Sequence, residues 1–147
     1  FDIDHFKSVN DTWGHQAGDV IIKEIAGIIK ENLRKLDLPA RYGGEEFAVI
    51  LPESDVNNAR LIAERIRQAV ESRVFDIGNG KQIQVTISAG ASDLSMAVAA
   101  SEQMEPAQMS RESQMREVLI GQADTALYCS KHGGRNKATV FTPGMTH

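Results

Sequence analysis

At 147 residues and 41% hydrophobic content, the chain is the length of one domain and can fill one core. Its 16 Lys and Arg stand against 20 Asp and Glu, and a formal net charge of −4 excludes the basic excess of a nucleic-acid binder, so a polyanionic ligand would need locally concentrated positive charge and metal ions. The single cysteine, Cys129, cannot form an internal disulfide, and no secretory or transmembrane segment is visible, which predicts a reducing, cytoplasmic setting.

The first predicted element is a strand end. Asp2-Ile3-Asp4 alternates, with Ile3 on the face opposite the two acids, and Phe6 to Asn10 reads as a short helical turn whose first backbone N–H groups could cradle a phosphate. Capping of that helix, with favourable charge near its N-terminus, is the better explanation of Asp2 and Asp4 when they are taken alone. Trp13 reads as a packing anchor and His15 as a local hydrogen-bonding residue. Next, Ile22, Ile25, Ala26, Ile29, Leu33 and Leu36 fall on one face of a helix predicted between Ala17 and Leu36, which Pro39 stops. A strand starts at Ala40 to Tyr42 and returns at Phe47 to Leu51, and the unbroken apolarity of the return predicts a central strand covered on both faces.

Between these strands lies the most informative stretch, Arg41-Tyr42-Gly43-Gly44-Glu45-Glu46-Phe47. Gly43 and Gly44 tolerate positive φ and predict a tight two-residue turn with no Cβ to keep a bulky ligand from the backbone. Glu45 and Glu46 beside such a tip suit a divalent cation. Mg²⁺ takes hard oxygen ligands, commonly one or two carboxylates completed by phosphates and water, so the pattern suggests a nucleoside triphosphate site. A solubilising acidic turn is the plain alternative. The separate acidic cluster at Asp2 and Asp4 weighs against it.

Further along, Ala59, Ile62, Ala63, Ile66 and Val70 mark a second amphipathic helix, followed by a Gly78-Asn79-Gly80 turn and an alternating, antiparallel-type strand at Ile83, Val85, Ile87 and Ala89. Residues 92–111 lose all periodicity and predict a mobile insertion, longer than compact connections need, in which Met96, Met104 and Met109 are gap-fillers or an adaptable surface. A last helix carries Met115, Val118, Leu119, Ala126 and Leu127, with Cys129 in or near the core, and a short strand at Thr139 to Phe141 closes the domain. The order is that of an α+β domain, a central antiparallel-rich sheet flanked by helices.

Three stretches carry a resemblance to a known family. Asp2-Ile3-Asp4-x-Phe6-Lys7-x-x-Asn10-Asp11, Gly14-His15-x-x-Gly18-Asp19 and Arg41 to Phe47 resemble the signatures of GGDEF diguanylate cyclases, and Lys131-His132-Gly133-Gly134-Arg135-Asn136 is similar to the family's closing lysine-to-arginine segment. The likeness covers nearly the whole chain, in the Gly-Gly-Glu-Glu-Phe variant, which is an active form. It implies the nucleotidyl cyclase or polymerase palm (ferredoxin-like) fold. It also implies condensation of two GTP into cyclic di-GMP and two pyrophosphates with Mg²⁺ or Mn²⁺. By the same resemblance about thirty more residues precede Phe1, after a sensory or regulatory domain that can carry a membrane anchor.

The roles implied by the resemblance make physical sense residue by residue. Asp2 and Glu45 are metal carboxylates, Ile3 lends its backbone carbonyl, and Glu46 is the base or a further metal ligand. Asn10 and Asp19 read guanine, whose ring N–H and amino group suit an aspartate, while Phe6, Lys7, Gly43 and Gly44 complete the substrate site. Lys131 and Arg135 face the β and γ phosphates, with helix C-capping as their plain alternative. Tyr42 is expected to pair with a strand neighbour. Arg34-Lys35-Leu36-Asp37 resembles the family's RxxD inhibitory site for cyclic di-GMP, with Arg65 of the next helix as partner; an i,i+3 salt bridge at a helix end is the alternative. Because each domain would present one GTP site and the product has two equivalent links, the resemblance implies catalysis between the two subunits of a homodimer. Rival readings are a receptor that binds GTP or cyclic di-GMP without turnover, a cyclase acting on one nucleotide, and a structural interaction domain.

Overall fold

The computed structural model describes residues 1–101 and 110–147. A short strand β1 (Asp2–Ile3) leads into helices α1 (Phe6–Trp13) and α2 (His15–Glu31). The hairpin β2 (Leu38–Arg41) and β3 (Phe47–Ile50) follows, then helix α3 (Val56–Glu71) and a second hairpin, β4 (Phe75–Asp76) and β5 (Gln82–Ile83). Strand β6 (Ile87–Ala91), helices α4 (Leu94–Ser101) and α5 (Arg111–His132), and strand β7 (Ala138–Val140) end the chain. The α+β class expected from the sequence is the one observed. None of the described helices is long and apolar enough to cross a membrane.

The strand covered on both faces is β6. It pairs antiparallel with β1 (Asp2 opposite Ser88, Ile3 opposite Ile87) and parallel with β7 (Ala89 opposite Ala138). Ile87, Ser88 and Ala89 are all buried, as they must be with α3 and α5 packed against this strand. Gly90 belongs to that packing: a Cβ there would stand 2.1 Å from the Ala123 carbonyl oxygen and 2.3 Å from the Leu127 nitrogen, so only glycine lets α5 approach this closely. The core beneath the sheet is built from Ile3, Ile21, Ile25, Ile29, Ile66, Val70, Phe75 and Ile87.

Several expectations are corrected. Strand β3 is not central: among named strands it pairs only with β2, and Ile50 is 64% exposed. Its apolar run packs on one side, through Phe47 and Val49. Helix α2 ends at Glu31 rather than Leu36, because the Asn32 amide turns back to the Ile28 carbonyl (2.8 Å) and the Asp37 carboxylate accepts the Arg34 backbone N–H (2.7 Å), folding residues 34–37 into a turn. Leu36 is left exposed. Pro39 therefore stops no helix; it sits inside β2, whose four residues are all exposed.

Trp13 is no packing anchor either: it is 41% exposed, with the Lys81 ammonium 5.2 Å from its ring. Within residues 92–111, Leu94–Ser101 forms a helix against α5 with Ala97 fully buried, started by Asp93, which accepts the Met96 N–H (3.0 Å) and the Ser95 hydroxyl (2.6 Å). Met104 and Met109 lie outside the described residues.

Candidate functional site

The acidic residues meet because β1 and the hairpin loop share backbone bonds. Ile3 donates its N–H to the Glu45 carbonyl (3.3 Å), Phe47 donates to the Phe1 carbonyl (2.9 Å), and Asp2 bridges Glu46. Asp2, Ile3, Glu45 and Glu46 therefore sit side by side, although 42 residues of sequence intervene between Ile3 and Glu46. The Asp2 carboxylate is buried and holds the Lys131 ammonium at 2.7 Å, so Lys131, from the last turn of α5, reaches this same point. Glu45 and Glu46 are half-buried.

The loop is not the two-residue turn expected. Five residues, Tyr42 to Glu46, connect the strands, and neither Gly43 nor Gly44 has positive φ. The Tyr42 N–H closes the loop on the Glu46 carbonyl (2.8 Å). The Arg41 guanidinium fixes its far side, donating to the Gly43 carbonyl (3.2 Å) and twice to the Gly44 carbonyl (3.1 and 2.7 Å). Gly43 is needed for space, since a Cβ would come within 2.8 Å of the Glu46 carboxylate, whereas nothing lies within 4 Å of a Cβ at Gly44.

At the other end of the site, Asn10 of α1 faces Gly18 of α2. The Asn10 Oδ1 is buried without a hydrogen-bond partner, and a Cβ on Gly18 would stand 2.0 Å from it. A buried carbonyl oxygen left unpaired costs free energy unless a ligand donor meets it. Asp19 follows Gly18 and is exposed, lining a cleft of about 510 Å³ with Lys23, Arg41 and Phe47. Phe6 is buried at the base of α1 and Lys7 is exposed beside it, with no side chain capping the first turn of that helix.

Beyond α5, Arg135 is exposed in a left-handed conformation (φ 62°) with its N–H on the Ser130 carbonyl (3.0 Å). Asn136 follows at φ 48°. Its N–H reaches Asp4, a residue of the first acidic cluster for which the sequence offered helix capping as the plain alternative and no other role. Asp4 caps nothing: its buried carboxylate accepts the Thr86 hydroxyl (2.7 Å), the Ser88 hydroxyl (2.7 Å) and the Asn136 N–H (3.0 Å), tying β1, β6 and the α5–β7 turn together. Arg67 of α3, also buried, was missed as well. It donates to Glu64 (2.7 Å), Glu71 (2.7 Å) and the Asn136 Oδ1 (2.6 Å). These bonds hold the Glu64 and Glu71 carboxyls below the usual value. The only sequence signal was the Glu64–Arg67–Glu71 spacing on one helix face.

At the candidate inhibitory segment, the Asp37 carboxylate is spent on the backbone N–H of Arg34, so Asp37 does not form the i,i+3 salt bridge that was the alternative. The Arg34 side chain is exposed, and Arg65 donates to the carbonyl of Asn32 at the end of α2, two residues before Arg34.

Among the described residues no group of three or more His, Cys, Asp and Glu side chains is gathered as a preformed metal cage. The available donors are nonetheless all oxygen, and the Asp2 carboxylate already holds a cation in Lys131, which fits a hard ion completed by substrate phosphates.

Comparison with known proteins gives a consistent answer. The family described as diguanylate cyclase, GGDEF domain, matches residues 1–137. Diguanylate cyclase A of Treponema denticola is 42% identical over 95% of this chain and 33% of its own length. The response regulator PleD of Caulobacter vibrioides is 42% identical over 92% of this chain and 27% of its own. The chain thus spans a third or less of these curated relatives. The crystal structure of the GGDEF domain of DgcB from Caulobacter crescentus, in complex with c-di-GMP, superposes with a TM-score of 0.75 at 37% identity, covering 95% of this chain and 73% of that one.

Proposed function

The chain belongs to the diguanylate cyclase GGDEF domain family, and from that premise we propose that it condenses two GTP into cyclic di-GMP and two pyrophosphates between two copies of the domain. The observation that carries this reading is the backbone bridge that sets Glu45 and Glu46 against Asp2 and Ile3. A bound Mg²⁺ or Mn²⁺, held by Asp2, the Ile3 carbonyl, Glu45 and Glu46, would neutralise the triphosphate.

The chain's own groups then have distinct tasks. Lys131 and Arg135 hold the β and γ phosphates by charge-assisted bonds, Lys131 exchanging its place on Asp2 for the nucleotide. The unpaired Asn10 Oδ1 accepts from guanine, and Asp19 in the adjacent cleft takes the ring N–H and amino group. In an isologous pair, the 3′-hydroxyl oxygen of each GTP attacks the α-phosphorus of the other, and the bond from that phosphorus to the leaving pyrophosphate breaks. Glu46 receives the hydroxyl proton or completes the metal set. Glu46→Gln removes either function.

Product analysis by chromatography tests the reading. With GTP and Mg²⁺ the chain should give cyclic di-GMP, Glu46→Gln should give none, and the rate should rise as the square of protein concentration in the dilute limit. Cyclic GMP as the main product, or strict proportionality to concentration, sinks it. GTP or cyclic di-GMP binding without product favours the receptor alternative.

Product feedback belongs to the same proposal. The exposed guanidinium of Arg34, with Arg65 bonded to Asn32 two residues before it, can stack on guanine and grip phosphate. Arg34→Ala should relieve inhibition by added cyclic di-GMP with little loss of initial rate, and unchanged inhibition would count against the site. The c-di-GMP complex of the DgcB domain supports this ligand, and the response-regulator relative supports regulation by other parts of a larger protein.

A further inference from the structure

Asn136 bonds to three residues behind the site, through its backbone and both ends of its side chain. Its backbone N–H donates to Asp4, its Oδ1 accepts from Arg67 (2.6 Å), and its Nδ2 donates to Glu71 (2.6 Å). The orientation of the amide is forced, because a guanidinium can only donate and a carboxylate only accept. These three contacts tie together parts that the sequence keeps far apart. Asp4 lies just past the end of the metal-bearing strand, two residues after Asp2, Arg67 and Glu71 lie on α3, and Asn136 directly follows Arg135. The left-handed backbone at Arg135 and Asn136 is uncommon for residues with side chains, and bonds on both sides of Asn136 hold it in place.

We propose that Asn136 is a positioning residue that, braced by Arg67 and Glu71, sets the distance between the phosphate-holding Lys131–Arg135 turn and the strand carrying Asp2 and Ile3. The inference rests on the reading of Lys131 and Arg135 as phosphate ligands. It assigns Asn136, Arg67 and Glu71 no contact with substrate. Arg67 keeps its bonds to Glu64 and Glu71 without Asn136, so α3 stays intact while the turn loses its brace.

Two substitutions separate bracing from general stability. Asn136→Gly suits a left-handed backbone and keeps the N–H to Asp4, removing only the side-chain bonds. Asn136→Asp keeps the acceptor for Arg67 but sets a carboxylate against Glu71, and adding Glu71→Gln restores that bond with its direction reversed and the net charge unchanged.

GTP with Mg²⁺ is titrated by calorimetry and guanosine by NMR, alongside thermal melting and product analysis. Asn136→Gly and Asn136→Asp should each weaken GTP binding about tenfold, with guanosine affinity and melting temperature near those of the wild type. Asn136→Asp with Glu71→Gln should regain GTP affinity. If GTP and guanosine weaken together with a lowered melting temperature, the role is purely structural and the proposal falls. It falls too if no variant changes GTP affinity, or if the double variant stays as weak as Asn136→Asp. A wild type that binds GTP but makes no cyclic di-GMP ends the enzymatic reading while these affinities still decide the positioning role; a wild type that binds no GTP overturns both.

Discussion

The wall of the site formed by β1, β6 and the α5–β7 turn is held by buried side chains, whereas the wall formed by the β2–β3 hairpin is held by backbone at its base and by one exposed arginine at its tip. On the first wall Asp4 and Ser88 are buried and mutually bonded, Asp2 is paired with Lys131, and Asn136 is locked to α3. On the second, all of β2, Tyr42 and Ile50 are exposed. Segments with few buried contacts open at lower free energy than the core. The end of the site that carries Lys131 and Asn136 is therefore fixed by the fold, while the glycine loop is free to adjust. Such a division suits the proposed function, in which a nucleotide held on one domain meets a second on another copy.

The largest effect is expected from disturbing the rigid wall. Gly90→Ala puts a Cβ 2.1 Å from one backbone atom of α5 and 2.3 Å from another, and a helix cannot yield as a flexible side chain can. Overpacking of this kind costs about 3 kcal/mol, a fall of about 10 °C in melting temperature. Because α5 carries Lys131, GTP binding should weaken as well, while amide exchange in the hairpin loop stays as it was. A melting temperature within about 2 °C of the wild type would mean that the two walls are equally soft.

The same contrast governs how much could be read from the sequence. Local signals survive: the periodic face of α3, the Gly78-Asn79-Gly80 turn with all three residues at positive φ, and the clustering of glycine and glutamate at the hairpin. What failed was long-range. The apolar run at Phe47 to Ile50 cannot reveal which strands will cover it, and β6, with Ser88 and Gly90 in its sequence, looks less like a central strand than β3 does. Leu33 and Leu36 continue the period of α2, but Asn32 and Asp37 compete for the backbone and end the helix first. Asp4, Arg67 and Asn136 meet only through the fold, so no spacing could announce them. Asp93 ahead of α4 was a legible cap that the small-residue composition around it obscured.

A smaller effect should follow from loosening the exposed wall. Arg41→Ala removes the bonds to the Gly43 and Gly44 carbonyls, which are solvent-exposed and therefore contribute only about 1 kcal/mol or less to stability. Function should respond more than stability. Hydrogen exchange at the amides of residues 42–46 should speed up while β6 keeps its protection, and KM for GTP should rise several-fold. Equal acceleration in both regions would show that the loop is not an independent unit and would erase the distinction between the walls.

The smallest effect is an acid dependence confined to the rigid wall. The Arg67 hydrogen bonds hold the Glu64 and Glu71 carboxyls below their ordinary 4.5, with Asn136 adding to the effect at Glu71. A carboxyl whose pKa is lower folded than unfolded binds its proton more weakly in the native state, so its contribution is fully present above the unfolded value and is lost as pH falls through the folded one. Both glutamates keep more than a third of the side chain exposed, and solvent screens the pairs. Urea unfolding between pH 6 and pH 3 should therefore show the wild type losing stability somewhat more steeply below about pH 4.5 than Glu64→Gln, with the two curves parallel above it. Parallel curves throughout would mean that Arg67 holds α3 to Asn136 by hydrogen-bond geometry alone, with the charge of its glutamate neighbours contributing nothing to the stiffness of that wall.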